Sequence, residues 1–286
     1  MRVGLNSVLR RSRRQNRPQI WLWLGLLLVL AGCGGPAAAT TTGLVDVGGH
    51  KLFIECTGRG SPTVVLDAGL SSGGRDWRDV QPQISEFTRV CNYDRAGLDR
   101  SETGPLPRTS QLIADDLDRL LTNARIEDPL VMVGHSFGAM NVRLYTSQHP
   151  DRVVGAVLVD GLHPDGLSRI ADSIGPLVWN VVRGPILDNA EGVDLPASSD
   201  EVRSAGLFGD IPLVVVAAGR SLLSPFGALV PGATDLDEVL PELQRDLVSW
   251  SSQGKLVVAR NSGHCVHCDE PQVVIDAVRQ MVEATR

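Results

Sequence analysis

Gly134-His135-Ser136-Phe137-Gly138 sets one hydroxyl between two residues that have no side chain. Just before it, Leu130-Val131-Met132-Val133 is continuous and apolar. After it, residues 139–149 follow a helical pattern that ends near Pro150. A strand that turns straight into a helix leaves no room for side chains inside the turn, so positions 134 and 138 admit only glycine. The turn forces Ser136 into a strained backbone conformation and lifts its hydroxyl clear of the sheet edge. A hydroxyl presented this way is a nucleophile waiting for a base, suited to attack on an acyl carbon. The backbone N–H of Phe137 is aimed at the same region, where it supplies a donor to the oxygen on which charge develops.

The base must be a histidine, and the chain has six. His50 and His149 stand at element ends and are expected to face solvent. His135 lies beneath the serine as a packing residue, and His163 and His267 read as loop residues without a task. His264 alone follows a glycine after a late apolar strand, at about 256–259, and is the expected general base and acid. A carboxylate should orient it. Asp160, closing Val157-Leu158-Val159-Asp160-Gly161, is the first choice, Asp235 or Asp237 the second. The competing reading of Asp160 is a cap that opens the following loop.

These side chains need a frame. Short apolar runs at 44–47, 51–56, 63–66, 88–93, 130–133, 153–159, 213–217 and 256–259 read as strands, the first two joined at Gly48-Gly49 as a hairpin. Helical patterns lie between them at 76–87, 109–124, 236–250 and 272–283, the second capped by Thr109 or Ser110. Apolar strands alternating with helices predict one largely parallel sheet covered on both faces. About 50 residues, 161–211, separate the sixth and seventh strands, far more than a tight connection needs. They predict an inserted helical cap. Its apolar residues, among them Leu167, Ile170, Ile174, Leu177, Val181, Val182 and Ile186, either pack on the core or line an acyl pocket.

Four segments together resemble the α/β-hydrolase fold family, and the resemblance covers about 44–284. Val64-Val65-Leu66-Asp67-Ala68-Gly69-Leu70 is similar to the loop after strand 3, with Ala68-Gly69 where His-Gly is common. Tyr93-Asp94-Arg95-Ala96-Gly97-Leu98-Asp99-Arg100-Ser101 resembles the family's Asp-Arg-x-Gly-x-Gly-x-Ser run, with Asp99 in place of a glycine. The turn at Ser136 is the third segment, and Asn261-Ser262-Gly263-His264 the fourth. The resemblance implies a mostly parallel eight-stranded sheet and an oxyanion hole formed by the N–H groups of Leu70 and Phe137. It also implies a serine esterase or lipase-like activity on a small-molecule ester or acyl substrate. The family usually carries its acid just after strand 7, but residues 218–222 hold no carboxylate. Some lipases and haloalkane dehalogenases place it after strand 6, which again selects Asp160. Asp94, Arg95 and Ser101 read as a structural network bracing the nearby loop, and Trp77 as a packing residue.

Arg2, Arg10, Arg11, Arg13, Arg14 and Arg17 precede an apolar stretch at 20–30, shorter than the ~20 residues of a bilayer span. Leu30-Ala31-Gly32-Cys33 follows and resembles the lipobox of bacterial lipoproteins. This implies a signal peptide at 1–32 and lipid on Cys33. Residues 33–43 then form a flexible tether of mainly Gly, Pro, Ala and Thr, and 44–286 the catalytic domain. The expected location is the cell envelope, anchored to the membrane and facing away from the cytoplasm. Removing the six leading arginines takes the formal net charge from −6 to −12, which argues against nucleic acid as a partner.

No cofactor is expected. His264-Cys265-Val266-His267-Cys268 has no second ligand pair at zinc-site spacing, so a local disulfide or two free thiols are the expected states, and no metal. Cys56 and Cys91 are candidates for a bridge if their strands are neighbours, since export permits disulfides. The reading in competition with an esterase is a peptidase, thioesterase or amidase of the same fold, or a non-catalytic envelope binding module. Epoxide hydrolases and dehalogenases of this fold use an aspartate nucleophile, and Ser136 argues against them.

Overall fold

The computed structural model describes residues 41–126, 129–220 and 233–286. The expected signal peptide, Cys33 and nearly all of the tether lie outside the described residues, as does the side chain of Val182.

Among the described residues, eight strands form one sheet in the order β1-β2-β4-β3-β5-β6-β7-β8. The strands β1 (Thr42–Asp46) and β2 (Lys51–Thr57) pair antiparallel, and β2 pairs antiparallel with β4 (Val90–Tyr93). Gly48 and Gly49, with φ of 98° and 113°, make the reversal between β1 and β2. From β4 onward every pairing is parallel: β3 (Thr63–Asp67), β5 (Leu130–His135), β6 (Val153–Val159), β7 (Leu213–Ala218) and β8 (Gly254–Ala259).

The continuous apolar runs are explained by burial on both faces. Along β5, Met132 faces one core while Val131 and Val133 face the other, and β6 and β7 alternate in the same way. The first face is covered by α2 (Ser110–Asn123) and α3 (Phe137–Gln148), which contribute Leu117, Leu120, Met140 and Leu144. The second is covered by the one-turn helix α1 (Gln81–Ile84) and by α8 (Pro271–Ala284), through Ile84, Val274, Val278 and Met281. Thr109 caps α2, its hydroxyl accepting from the N–H of Leu112.

The helix expected at 76–87 is absent. A 3-10 turn at Gly74–Trp77 and the single turn of α1 stand in its place. Pro82 has no N–H and its ring crowds a helical carbonyl four residues back, so it favours the first turn of a helix, where it stands in α1, over a helix interior.

The cap consists of α4 (Gly166–Leu187) and α5 (Leu195–Ser204). α4 breaks at Gly175, whose φ of 74° is followed by Pro176. α6 (Ala233–Val248) follows the cap and packs against α4.

The candidate active site

Ser136 stands between β5 and α3 with φ 50° and ψ −120°, a conformation most residues avoid. The flanking glycines are there by necessity. A Cβ on Gly134 would lie 2.5 Å from the Gly138 carbonyl oxygen, and one on Gly138 would lie 2.5 Å from Asp67 O and 2.7 Å from Ala68 O. The start of α3 therefore rests on the backbone that follows β3. That contact sets the first turn of α3, which Phe137 opens, against the stretch leading to Leu70. Leu70, Ser136 and Phe137 line one cavity.

His264 Nε2 lies 3.0 Å from Ser136 Oγ, and His264 Nδ1 lies 2.6 Å from Asp160 Oδ2. A carboxylate only accepts, so Nδ1 carries the proton and Nε2 is left as the acceptor for the serine hydroxyl. Asp160 sits just past β6 with φ 42°, its N–H donating to Val216 O and its Oδ1 accepting from Ala218 N–H at 2.9 Å. The end of β7 thus holds the carboxylate although it contributes none. Asp237 lines the same cavity and Asp235 is exposed in the first turn of α6. Among the described residues, Asp160 is the carboxylate bonded to His264.

The loop around His264 is braced from beneath. His135 Nε2 donates to His264 O at 3.0 Å, and Gly263 N–H donates to Asp269 Oδ2 at 2.8 Å. Burial, with His267 and His264 nearby, pushes His135 well below the ordinary imidazole range. His267 is pushed down to about 4, chiefly by burial. It lies on the short helix α7 (Val266–Asp269), packed between Trp77 at 4.5 Å and His135 at 4.6 Å, ring centre to ring centre. It is therefore a neutral packing residue rather than a loop residue without a task.

Two further histidines depart from expectation. His50 is buried, with Nε2 3.2 Å from Asp116 Oδ2, which also accepts from the buried Arg108. His163 is buried over Trp250, 3.0 Å from Asp246.

Cys56 and Cys91, directly opposite one another on β2 and β4, form a disulfide, and so do Cys265 and Cys268. Cys265, His267 and Cys268 are close enough together to share an ion. Sulfurs bonded to each other are not thiolate ligands, however, and His267 alone makes no site.

The cavity measures about 770 Å³, and the part of its wall that the cap supplies is largely aliphatic: Leu162, Leu167, Ile170, Ile186 and Leu195, with His163. Of the apolar cap residues, Leu167, Ile170 and Ile186 thus face the site. Ile174 is buried, and Leu177 and Val181 are exposed.

Asp94 accepts from Gly74 N–H and from Arg100, and Ser101 donates to Asp94 O, so this run is the structural brace expected of it. Arg95 is fully buried between Asp67 and Glu191. Glu191, from the α4–α5 connector, was not legible as part of the site. Its signal is indirect: a buried guanidinium needs carboxylates, and an acid in the connector that follows α4 is available for one.

This fold and this strand–serine–helix turn define a class. The chain belongs to the α/β-hydrolase fold family, whose model matches residues 62–233. It is similar to the "Probable transporter efuK" of Hormonema carpetanum, 26% identical over 297 residues, covering 84% of this chain but 42% of that protein. It therefore spans less than half the length of that relative. With the "Uncharacterized protein YqjL" of Bacillus subtilis it is 26% identical over 220 residues, covering 76% of this chain and 82% of that one. Among solved structures, a thermophilic esterase from Thermogutta terrifontis matches with a TM-score of 0.60 at 19% identity, covering 86% of this chain and 97% of that one. That likeness is one of fold.

Proposed function

We propose that the protein is a serine hydrolase that cleaves carboxylic esters through an acyl-enzyme on Ser136, carried at the cell envelope by lipid on Cys33. The observation that carries the catalytic reading is the chain Ser136 Oγ–His264 Nε2, 3.0 Å, and His264 Nδ1–Asp160 Oδ2, 2.6 Å.

Ser136 attacks the ester carbonyl as His264 takes its proton, and the charge on His264 is stabilised by Asp160. The N–H groups of Phe137 and Leu70 donate to the oxyanion, each worth about 3 kcal/mol of barrier. His264 then protonates the leaving alkoxide. A water enters, gives its proton to His264 and attacks the acyl carbon; the acyl–Oγ bond then breaks, His264 returns the proton to Ser136 Oγ, and the carboxylic acid departs. The aliphatic cap wall supports an uncharged acyl group as the part held during this cycle.

A fluorophosphonate probe tests the reading. Wild type should become covalently labelled and Ser136→Ala should not, with simple esters turned over in preference to amides and thioesters. Absence of label on Ser136 in folded protein would replace the enzyme by a non-catalytic binding module. Faster turnover of amides or thioesters would replace the ester reading.

A further inference from the structure

We propose that Glu191, on the connector between the two cap helices, is a positioning residue that sets the Leu70 oxyanion donor through Arg95, so that the cap completes the oxyanion hole. The role rests on the serine-hydrolase reading above.

Arg95 has five N–H donors, and all five are engaged. Nε donates to Glu191 Oε1 at 2.6 Å and Nη2 to Glu191 Oε2 at 2.8 Å, a two-pronged contact. Nη1 donates to Asp67 Oδ1 at 2.6 Å and to Ala68 O at 2.8 Å, and Nη2 also to Gly69 O at 2.6 Å. The guanidinium therefore grips two consecutive carbonyls of the loop after β3.

The grip on Gly69 O has a geometric consequence. In a trans peptide the carbonyl and the following N–H point in opposite directions. With Gly69 O turned onto Arg95, the N–H of Leu70 must point away from Arg95. Leu70 itself lines the cavity with Ser136. The next peptide is held as well: Ser71, at φ 58°, donates its N–H to Glu191 Oε2 at 2.9 Å. The peptide planes on both sides of Leu70 are thus fixed by the Glu191–Arg95 pair. Arg95 also lies over the ring of Phe137, 5.5 Å from its centre, and so touches the residue that carries the second donor.

Glu191 is itself held in place. It is 3% exposed, and the connector is stitched to the core by Arg108 N–H to Gly192 O and Asp194 N–H to Arg108 O. Burial works against its charge, but Arg95 and the Ser71 N–H more than offset this and leave its carboxyl below the ordinary range. Asp67, buried and also bonded by Tyr93 Oη, holds the other end of Arg95.

Glu191→Gln in the full chain tests the role. It keeps the shape and removes the charge that aligns Arg95. With simple esters, kcat should fall about 30- to 100-fold, short of the ~10²–10³-fold that removal of a whole oxyanion donor costs, with KM within about threefold. Affinity for an arylboronic acid, whose serine adduct is tetrahedral, should fall in parallel. In wild type, hydrogen exchange at the Ser71 amide should be as slow as in the sheet. A kcat within twofold of wild type, or a loss confined to KM, would overturn the proposal. So would open-loop exchange at Ser71 in wild type, a measurement that holds even if the variant does not fold. A wild type that turns over no ester and takes no fluorophosphonate would overturn the serine-hydrolase reading itself, which separates that failure from this one.

Discussion

Asp160 adopts a backbone conformation, φ 42°, that a residue in an ordinary loop would relax from. Both of its oxygens are in use, one on Ala218 N–H and one on His264. A cap residue would need neither. Asp160→Asn preserves the shape but removes the charge and no longer enforces the proton on Nδ1 of His264. We expect kcat to fall about 10⁴-fold with little change in KM. Asp235→Asn and Asp237→Asn should stay within twofold of wild type. Steady-state kinetics on all three decides the matter, and an active Asp160→Asn would return the role to α6. Ser136, His264 and Asp160 were legible because each follows an apolar run within a few residues and has a glycine one or two positions away, where the chain turns out of the sheet. Glu191 was not, because its partner Arg95 lies 96 residues away and no local pattern marks a contact of that range.

The parallel strands were legible for the reason that they are buried twice over. Each reads as an uninterrupted apolar run bounded by polar turns. The segment from Gly74 to Ile84 was not, since its apolar spacing suggests one helix where Pro82 instead starts a separate single turn. The cap was legible as an insertion by its length, but which of its apolar residues face the cavity depends on the break at Gly175. Glycines show the same division between elements that are packed and elements that are not. Gly138→Ala must push a methyl to 2.5 Å from Asp67 O, main chain that cannot yield, and should cost about 1–3 kcal/mol along with activity. Gly184→Ala, in α4, meets nothing within 4 Å beyond its chain neighbours, but Pro185 crowds the Cβ of a helical residue before it and offsets the propensity gain, so stability should stay within about 1 kcal/mol of wild type. Urea denaturation measures both, and a Gly138→Ala protein as stable as wild type would mean that α3 does not rest on the β3 loop.

At the scale of the whole molecule, the proposed attachment and the charge pull in opposite directions. Without residues 1–32 the chain has a formal net charge of −12, so an anionic membrane surface repels it. Residues 34–41 offer no apolar surface to insert and, fully extended, reach about 30 Å. The proposed attachment would then rest on acyl chains on Cys33 alone, and salt tells this apart from an electrostatic contact. At 1 M ionic strength the screening length is about 3 Å, which abolishes charge-based binding and leaves buried acyl chains untouched. The wild-type protein should therefore sediment with membranes in 1 M salt, leave them only with detergent, and incorporate labelled fatty acid. Cys33→Ala should incorporate none and be absent from the salt-washed pellet. Equal labelling of the two proteins, or release of the wild type by salt, would remove the lipid anchor and with it the placement of Ser136 within a tether's length of the membrane.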